Sequence, residues 1–189
     1  MVRSVYKMLA GEVSDMVSSS DWEREKWLWN RLWKVLLGPR IKLFFWQMCS
    51  EALATKANIA ARIGGECSSC PLYYSFVESS LHLFRDCGVA RWVWEELGID
   101  YGMNGYGGDV REWVEQVWKE LSETECGTFM VGCWALWEHR NKVNFEDAMV
   151  APEGVVRRIR DVLNEGVGNE VDKLAGERKR GAGDGGGFE

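Results

Sequence analysis

Cys67, Cys70, His82 and Cys87 read C-x2-C-x11-H-x4-C, and no other pattern in the chain restricts its fold so tightly. Three soft sulfurs and one imidazole nitrogen are the Cys3His donor set of a closed, tetrahedral structural zinc site. With four protein donors, no coordination position is left for water or substrate. One Zn2+ is therefore expected to hold a fold together rather than to do chemistry.

Six cysteines would suggest three disulfides in an extracellular protein. The first twenty residues, interrupted by Arg3, Lys7, Glu12 and Asp15, contain no apolar run of signal-peptide length. No stretch approaches the roughly 18 apolar residues of a membrane span. The expectation is a soluble, intracellular protein without a membrane partner. In a reducing compartment a CxxC pair is read as metal chemistry before disulfide, and the thioredoxin-like alternative lacks its βαβ setting. Arg178-Lys179-Arg180 is too short a basic cluster to separate nucleus from cytoplasm.

Elsewhere the pattern is helical nearly throughout. Asp21 reads as the N-cap of a first helix along which Trp22, Trp29, Trp33, Leu36 and Leu37 recur until Gly38-Pro39 stops it. Ile41, Phe44, Phe45, Met48, Cys49, Ala52 and Leu53 read as one buried stripe of a second helix. Thr55 caps a short third helix that ends at Gly64-Gly65. The segment from Leu81 to Phe84 reads as one helical turn. Five residues sweep about 500° of an α-helix, so His82 and Cys87 cannot share a face and a break is expected near Asp86 to Gly88. More helices are expected from Ala90 to Leu97, after an Asp109 cap, from about Gly127 to Phe145, and from Pro152 through Leu163. Val2 to Tyr6 is the one candidate strand. The chain is thus mostly α, a helical domain with a metal clip and no substantial sheet. Its expected layout is a lead-in (1–20), the metal-binding domain (21–98), a glycine-rich link (99–108), a helical extension (109–175) and a disordered tail (176–189).

Net charge is −6, unevenly spread: residues 1–66 hold ten basic and seven acidic residues, residues 67–150 six and fourteen. A freestanding nucleic-acid binder would show a stronger basic footprint. Any such contact is expected on the amino-terminal third, where Arg31, Lys34, Arg40 and Lys42 surround the Gly38-Pro39 turn. A solvated face is the plainer account of those four. Trp29, Trp33 and Trp46 could stack on bases, but at helical spacing among Leu and Phe they read as core. Cys49, Cys126 and Cys133 sit in apolar stripes and read as core as well. Arg140-Asn141 reads as a surface polar pair that ends or docks its helix. His139, beside Glu138, has no cysteine at ligand spacing, so a second metal site is not expected.

Catalysis fares poorly. Polymerases and ribonuclease H-like nucleases hold two metal ions on clustered carboxylates. Here the acidic residues are scattered along helix surfaces, and His139 is the single remaining conventional base once His82 is committed to zinc. There is no nucleophile motif and no phosphate loop between strand and helix. The chain is expected not to be an enzyme and to have no small-molecule substrate.

The segment from Trp29 to Trp94 resembles the reverse-transcriptase zinc-binding domain of plant non-LTR retrotransposon polyproteins. The likeness runs through Trp29-x3-Trp33, Pro39-x2-Lys42-x2-Phe45-Trp46, Thr55, Arg62, Cys67-x2-Cys70, Glu78-Ser79-x2-His82-Leu83-Phe84-x2-Cys87 and Trp94. Val2 to Tyr6 looks like the usual lead-in, and Trp134-x2-Trp137-x2-Arg140-Asn141-x3-Phe145 resembles the segment that precedes a ribonuclease H-like domain. The resemblance implies an accessory, nucleic-acid-associated role, with RNA or DNA as partner. Polymerase and nuclease are both absent from the chain, so their activities do not carry over. Two alternatives stand beside this: a scaffold whose tryptophan-rich helices in residues 109–163 bind a protein partner, and a retrotransposon remnant without cellular role.

Overall fold

Three of the helices begin at side-chain caps supplied by Thr55, Asp109 and Ser122. The computed structural model describes residues 19–66, 68–74, 76–101 and 108–165, without the side chains of 19–25. The candidate strand at Val2 to Tyr6, Cys67, most of the glycine-rich link, and the tail with any helix past Gly166 lie outside the described residues.

The chain divides into two compact units, Met1–Val35 and Leu36–Glu189. In the first, helix α1 spans Ser19–Lys34. It begins ahead of Asp21, so Asp21 lies within the helix and is not its N-cap. Arg31 and Lys34 occupy its last turn, the favourable end for cations.

In the second unit, α2 spans Pro39–Cys49 with Pro39 in its first turn, where the missing N–H is no loss. Ile41, Phe44, Phe45, Met48 and Cys49 are its buried stripe. The helix stops short of Ala52 and Leu53 because Glu51 turns into the left-handed region, with φ 50°. Asn58 Nδ2 then donates to the carbonyls of Glu51 (3.1 Å) and Leu53 (3.0 Å), and Arg62 to that of Glu51 (3.1 Å). Leu53 stays buried without being helical. Helix α3, Lys56–Ile63, has the expected Thr55 cap, whose hydroxyl accepts from the Asn58 N–H at 3.2 Å.

Helix α4 spans Gly88–Leu97 and α5 Val110–Glu120, the latter capped by Asp109 as expected. Helix α6 runs over Glu123–Phe145, four residues earlier than its apolar run suggests. Ser122 and Glu125 form a reciprocal capping box, an S-x-x-E signal plainly present in the sequence. From Cys126 to Leu136 nearly every residue of α6 is buried, as befits a central helix that is apolar all round. Residues 152–165 form α7, which buries Val155, Val156 and Ile159.

Aromatic rings join these helices. Phe45 of α2 stacks on Trp118 of α5 (5.2 Å between centroids) and meets Phe129 of α6 edge-on. Phe129 in turn packs on Trp94 of α4 at 5.1 Å and Trp113 of α5 at 5.3 Å. Gly132 lets Trp94 lie directly on the α6 backbone, since a Cβ there would stand 2.5 Å from two ring carbons. Trp113, Trp118 and Trp134 are thus buried in the protein's own interior. Of the tryptophans in residues 109–163, Trp137 alone keeps partial exposure for the protein-partner alternative. Among the described residues the sole β pairing is one antiparallel bridge, Ser69 with Val77. The mostly helical, sheet-free architecture agrees with the sequence. No helix is long and apolar enough to cross a membrane among the described residues.

Candidate metal centre

The metal segment is built from turns. Beyond α3, Gly64 and Gly65 take positive φ (77° and 117°) and swing the chain away from the helix axis. A tight loop follows, closed by Cys70 N–H to Phe76 O at 2.8 Å and Glu78 N–H to Ser68 O at 3.3 Å. After a short helical entry at residues 80–81, His82–Asp86 winds as a single π-helical turn. Its closing bond runs from Cys87 N–H to His82 O at 2.6 Å. A hydrogen bond spanning five residues makes a wider turn than an α-helix, and such turns recur at functional sites. That winding answers the five-residue spacing that an α-helix could not. Cys87 itself is extended (φ −60°, ψ 134°) and is the N-cap of α4, so the expected break falls there.

Cys70, His82 and Cys87 converge. One donor atom from each lies within 4.8 Å of the other two, and all three residues are buried. A zinc tetrahedron with Zn–S about 2.3 Å and Zn–N about 2.0 Å has edges of about 3.5–3.8 Å, so a small contraction closes the set. His82 Nε2 is buried without a hydrogen-bond partner among the described residues, a costly state for a polar atom unless a ligand takes its lone pair. The donors therefore fit a soft divalent ion. Cys67 lies outside the described residues and enters as fourth donor by spacing alone.

Electrostatics agree with thiolate character. The Cys87 S–H donating to Cys70 pulls the Cys70 thiol well down; burial opposes, while His82 and the Leu72 and Tyr73 amides assist. Cys87 is pushed up, first by that shared bond and then by burial, while the Val89 and Ala90 amides at the start of α4 pull it back. A divalent cation bound here would take both sulfurs as thiolates, releasing their protons.

The family described as zinc-binding in reverse transcriptase matches residues 1–94. Residues 1–94 are a reverse-transcriptase zinc-binding domain. The chain is also similar to the Arabidopsis thaliana protein named "Putative ribonuclease H protein", at 30% identity over 93 residues, 49% of this chain. It spans only 14% of that relative's length. No solved structure matches the chain.

Around its metal site the zinc-binding domain carries a second set of residues. Lys56 Nζ donates to Ser69 O at 2.7 Å, which places a cation on the cysteine turn. Arg62 and Arg85, on either side of the same loop, bond Glu51 O and Asp86 respectively. The larger surprise is Arg140. It is buried, not a surface residue, and grips Glu78 through Nε–Oε1 at 2.7 Å and NH2–Oε2 at 2.9 Å. Its guanidinium also lies over the Trp137 ring at 5.0 Å and bonds Asn141 Oδ1 at 2.9 Å. Burial pushes the Glu78 carboxyl up, and Arg140 pulls against it. Glu78 sits at the foot of the metal loop, so this bidentate pair fastens the loop to α6. Both residues belonged to the motifs quoted above; their pairing across 62 positions had no local signal.

The basic residues surrounding Gly38-Pro39 are held less specifically. In the first unit, Arg31 lies over the Trp27 ring at 5.6 Å, and Lys34 is exposed. In the second, Arg40 is exposed, pairs with Glu138 at 3.4 Å and lies over Trp134 at 5.3 Å, while Lys42 is half-buried. Trp33 is half-exposed; Trp29 and Trp46 are partly buried.

Proposed function

We propose that the chain is a non-catalytic, nucleic-acid-associated module in which Cys67, Cys70, His82 and Cys87 hold one structural Zn2+. The observation that carries this reading is the buried convergence of Cys70, His82 and Cys87 at the junction of the metal loop, the π turn and α4. When bound, zinc supplies a cross-link between the metal loop, the π turn and the start of α4. Backbone amides of Leu72, Tyr73, Val89 and Ala90, with Lys56 close by, offset the negative charge of the thiolates. The Cys3His set leaves no open position, and among the described residues no other group of three or more His, Cys, Asp or Glu donors converges. Both points favour a structural role over a catalytic one.

Support for nucleic acid comes from the domain type, which belongs to retrotransposon-related proteins, and from a relative named for ribonuclease H. Elemental analysis of purified protein tests the metal, with one zinc per chain expected. Gel-shift titration with single-stranded RNA and DNA at two salt concentrations tests the partner. Binding should weaken with salt and fall when Arg31→Glu, Lys34→Glu, Arg40→Glu and Lys42→Glu are combined. No binding at low salt would count against the nucleic-acid role, and absent zinc against the whole reading.

A further inference from the structure

Beside the metal ligands lies an open groove of about 610 Å3. Tyr73, Phe76 and Val77 line it from the metal loop, His82 and Asp86 from the π turn, and Arg91 from α4. The loop is rich in rings that face water: Tyr73 is 48% exposed, Tyr74 74% and Phe76 60%. Three exposed aromatics within four positions form an apolar patch of the kind that marks a binding surface. They are also held in place. The loop is closed by the Ser69–Val77 bridge, the Tyr73 ring rests on Gly88 (3.2 Å from where a Cβ would stand), and the Phe76 ring lies 5.6 Å from that of His82.

Charge narrows the occupant. The Arg91 side chain is exposed and makes no hydrogen bond or ion pair among the described residues. The groove's acidic member, Asp86, is already covered by Arg85 through contacts of 2.7 and 3.0 Å. What remains is a pair of fixed aromatic faces beside an unengaged cation. Planar rings joined to an anion match that combination, and an apolar peptide would leave the cation unused. A duplex hides its base faces, whereas a single strand offers them. The volume lies within the range for one compact ligand, about one or two nucleotides.

We infer that this groove is a base-stacking subsite for single-stranded nucleic acid, with unpaired bases on Tyr73 and Phe76 and one phosphate at Arg91. The inference rests on the nucleic-acid reading above and adds a contact that the basic residues of positions 31–42 do not provide. Stacking also suits the acidic balance of residues 67–150, because it needs few phosphate contacts.

Fluorescence anisotropy with short labelled oligo-U and oligo-dT, and with a duplex of equal length, tests it on the full chain with its zinc content measured. The expected result is preference for single strands, with Tyr73→Ala and Phe76→Ala each weakening binding about tenfold. Tyr73→Phe and Phe76→Trp should retain it. Arg91→Ala should lower affinity and reduce the salt slope by about 0.7, the value for one phosphate contact on a single strand. Zinc content and far-UV circular dichroism of each variant separate these effects from unfolding. Full binding by the Tyr73→Ala, Phe76→Ala double variant, with loss only in the fourfold Glu variant, overturns the groove and leaves the broader reading intact. A preference for duplex overturns the groove likewise. No binding of any strand at low salt overturns both and leaves a protein as the groove's occupant.

Discussion

Cys70 and Cys87 are as deeply buried as Cys49 and Cys133, yet the two pairs sit in different surroundings. In the first pair the Cys87 S–H, then an imidazole and backbone amides, draw Cys70 toward thiolate, while Cys87 is pushed up by the shared bond and by burial. The second sits in apolar helix faces. Burial is the first cause that pushes both of those thiols up, with Arg111 pulling weakly against it at Cys49. Burial by itself therefore says nothing about ligand duty; the polar groups aimed at sulfur do. The same contrast separates the two regions that contain them. The metal region, residues 64–87, is made mostly of turns, with one bridge, a few polar bonds and Leu72, Leu83 and Phe84 as buried apolar anchors, whereas α2, α4, α5 and α6 interlock through several packed rings.

Removing the metal should break that contrast most forcefully. Structural zinc sites supply about 10–16 kcal/mol in small peptides, far more than a few buried side chains such as Leu72, Leu83 and Phe84 add to this region. Cys70→Ala, or chelation, is expected to abolish zinc binding and unprotect amides in residues 60–95 while α5 and α6 stay protected. Hydrogen exchange read by mass spectrometry checks this, and equal protection in both regions after metal loss would refute the division. Next in size is the pair that joins the regions. Arg140→Leu strands a buried carboxylate and should cost about 3–5 kcal/mol in urea unfolding. The Glu78→Gln, Arg140→Leu double variant should recover most of it, and with the Glu78→Gln single variant the cycle gives the coupling.

Within the ring-packed region, Gly132→Ala should cost about 1–3 kcal/mol, because Trp94 is fully buried and cannot yield to the new methyl. Zinc stoichiometry should not change. Cys133→Ala should cost about 1 kcal/mol, again at unchanged zinc content. After chelation, thiol reagents should label Cys70 and Cys87 well before Cys49 and Cys133.

The smallest effect concerns pH. His139 Nε2 accepts the Ala151 N–H at 3.2 Å, in the connection between α6 and α7. Burial, followed by Lys142, holds its pKa below the ordinary 6.5. A depressed histidine contributes stability that is present above that ordinary value and lost as pH falls through the folded one. Melting temperature should therefore decline on acidification below about pH 6.5, modestly because the ring is half-exposed. His139→Gln, which keeps an acceptor, should flatten the decline.

Much of this was legible from residue order. Thr55 and Asp109 announce their helices, and the π turn at His82–Asp86 answers a spacing that no α-helix satisfies. The S-x-x-E at Ser122 was equally readable and places the start of α6 ahead of its apolar run. Three outcomes were not local. The stop of α2 at Cys49 depends on Asn58 and Arg62 reaching back to Glu51. Arg140 is identified as buried only by Glu78. The exposure of Tyr73, Tyr74 and Phe76 depends on how tightly the loop closes.

Sequence alone determined the donor types, their spacing and the helical periodicity, because each is a matter of covalent order and nearest neighbours. Tertiary structure alone decided which cation meets which carboxylate and which rings face water. Those choices belong to groups tens of residues apart, whose pairing is settled by competition with solvent once the helices have packed.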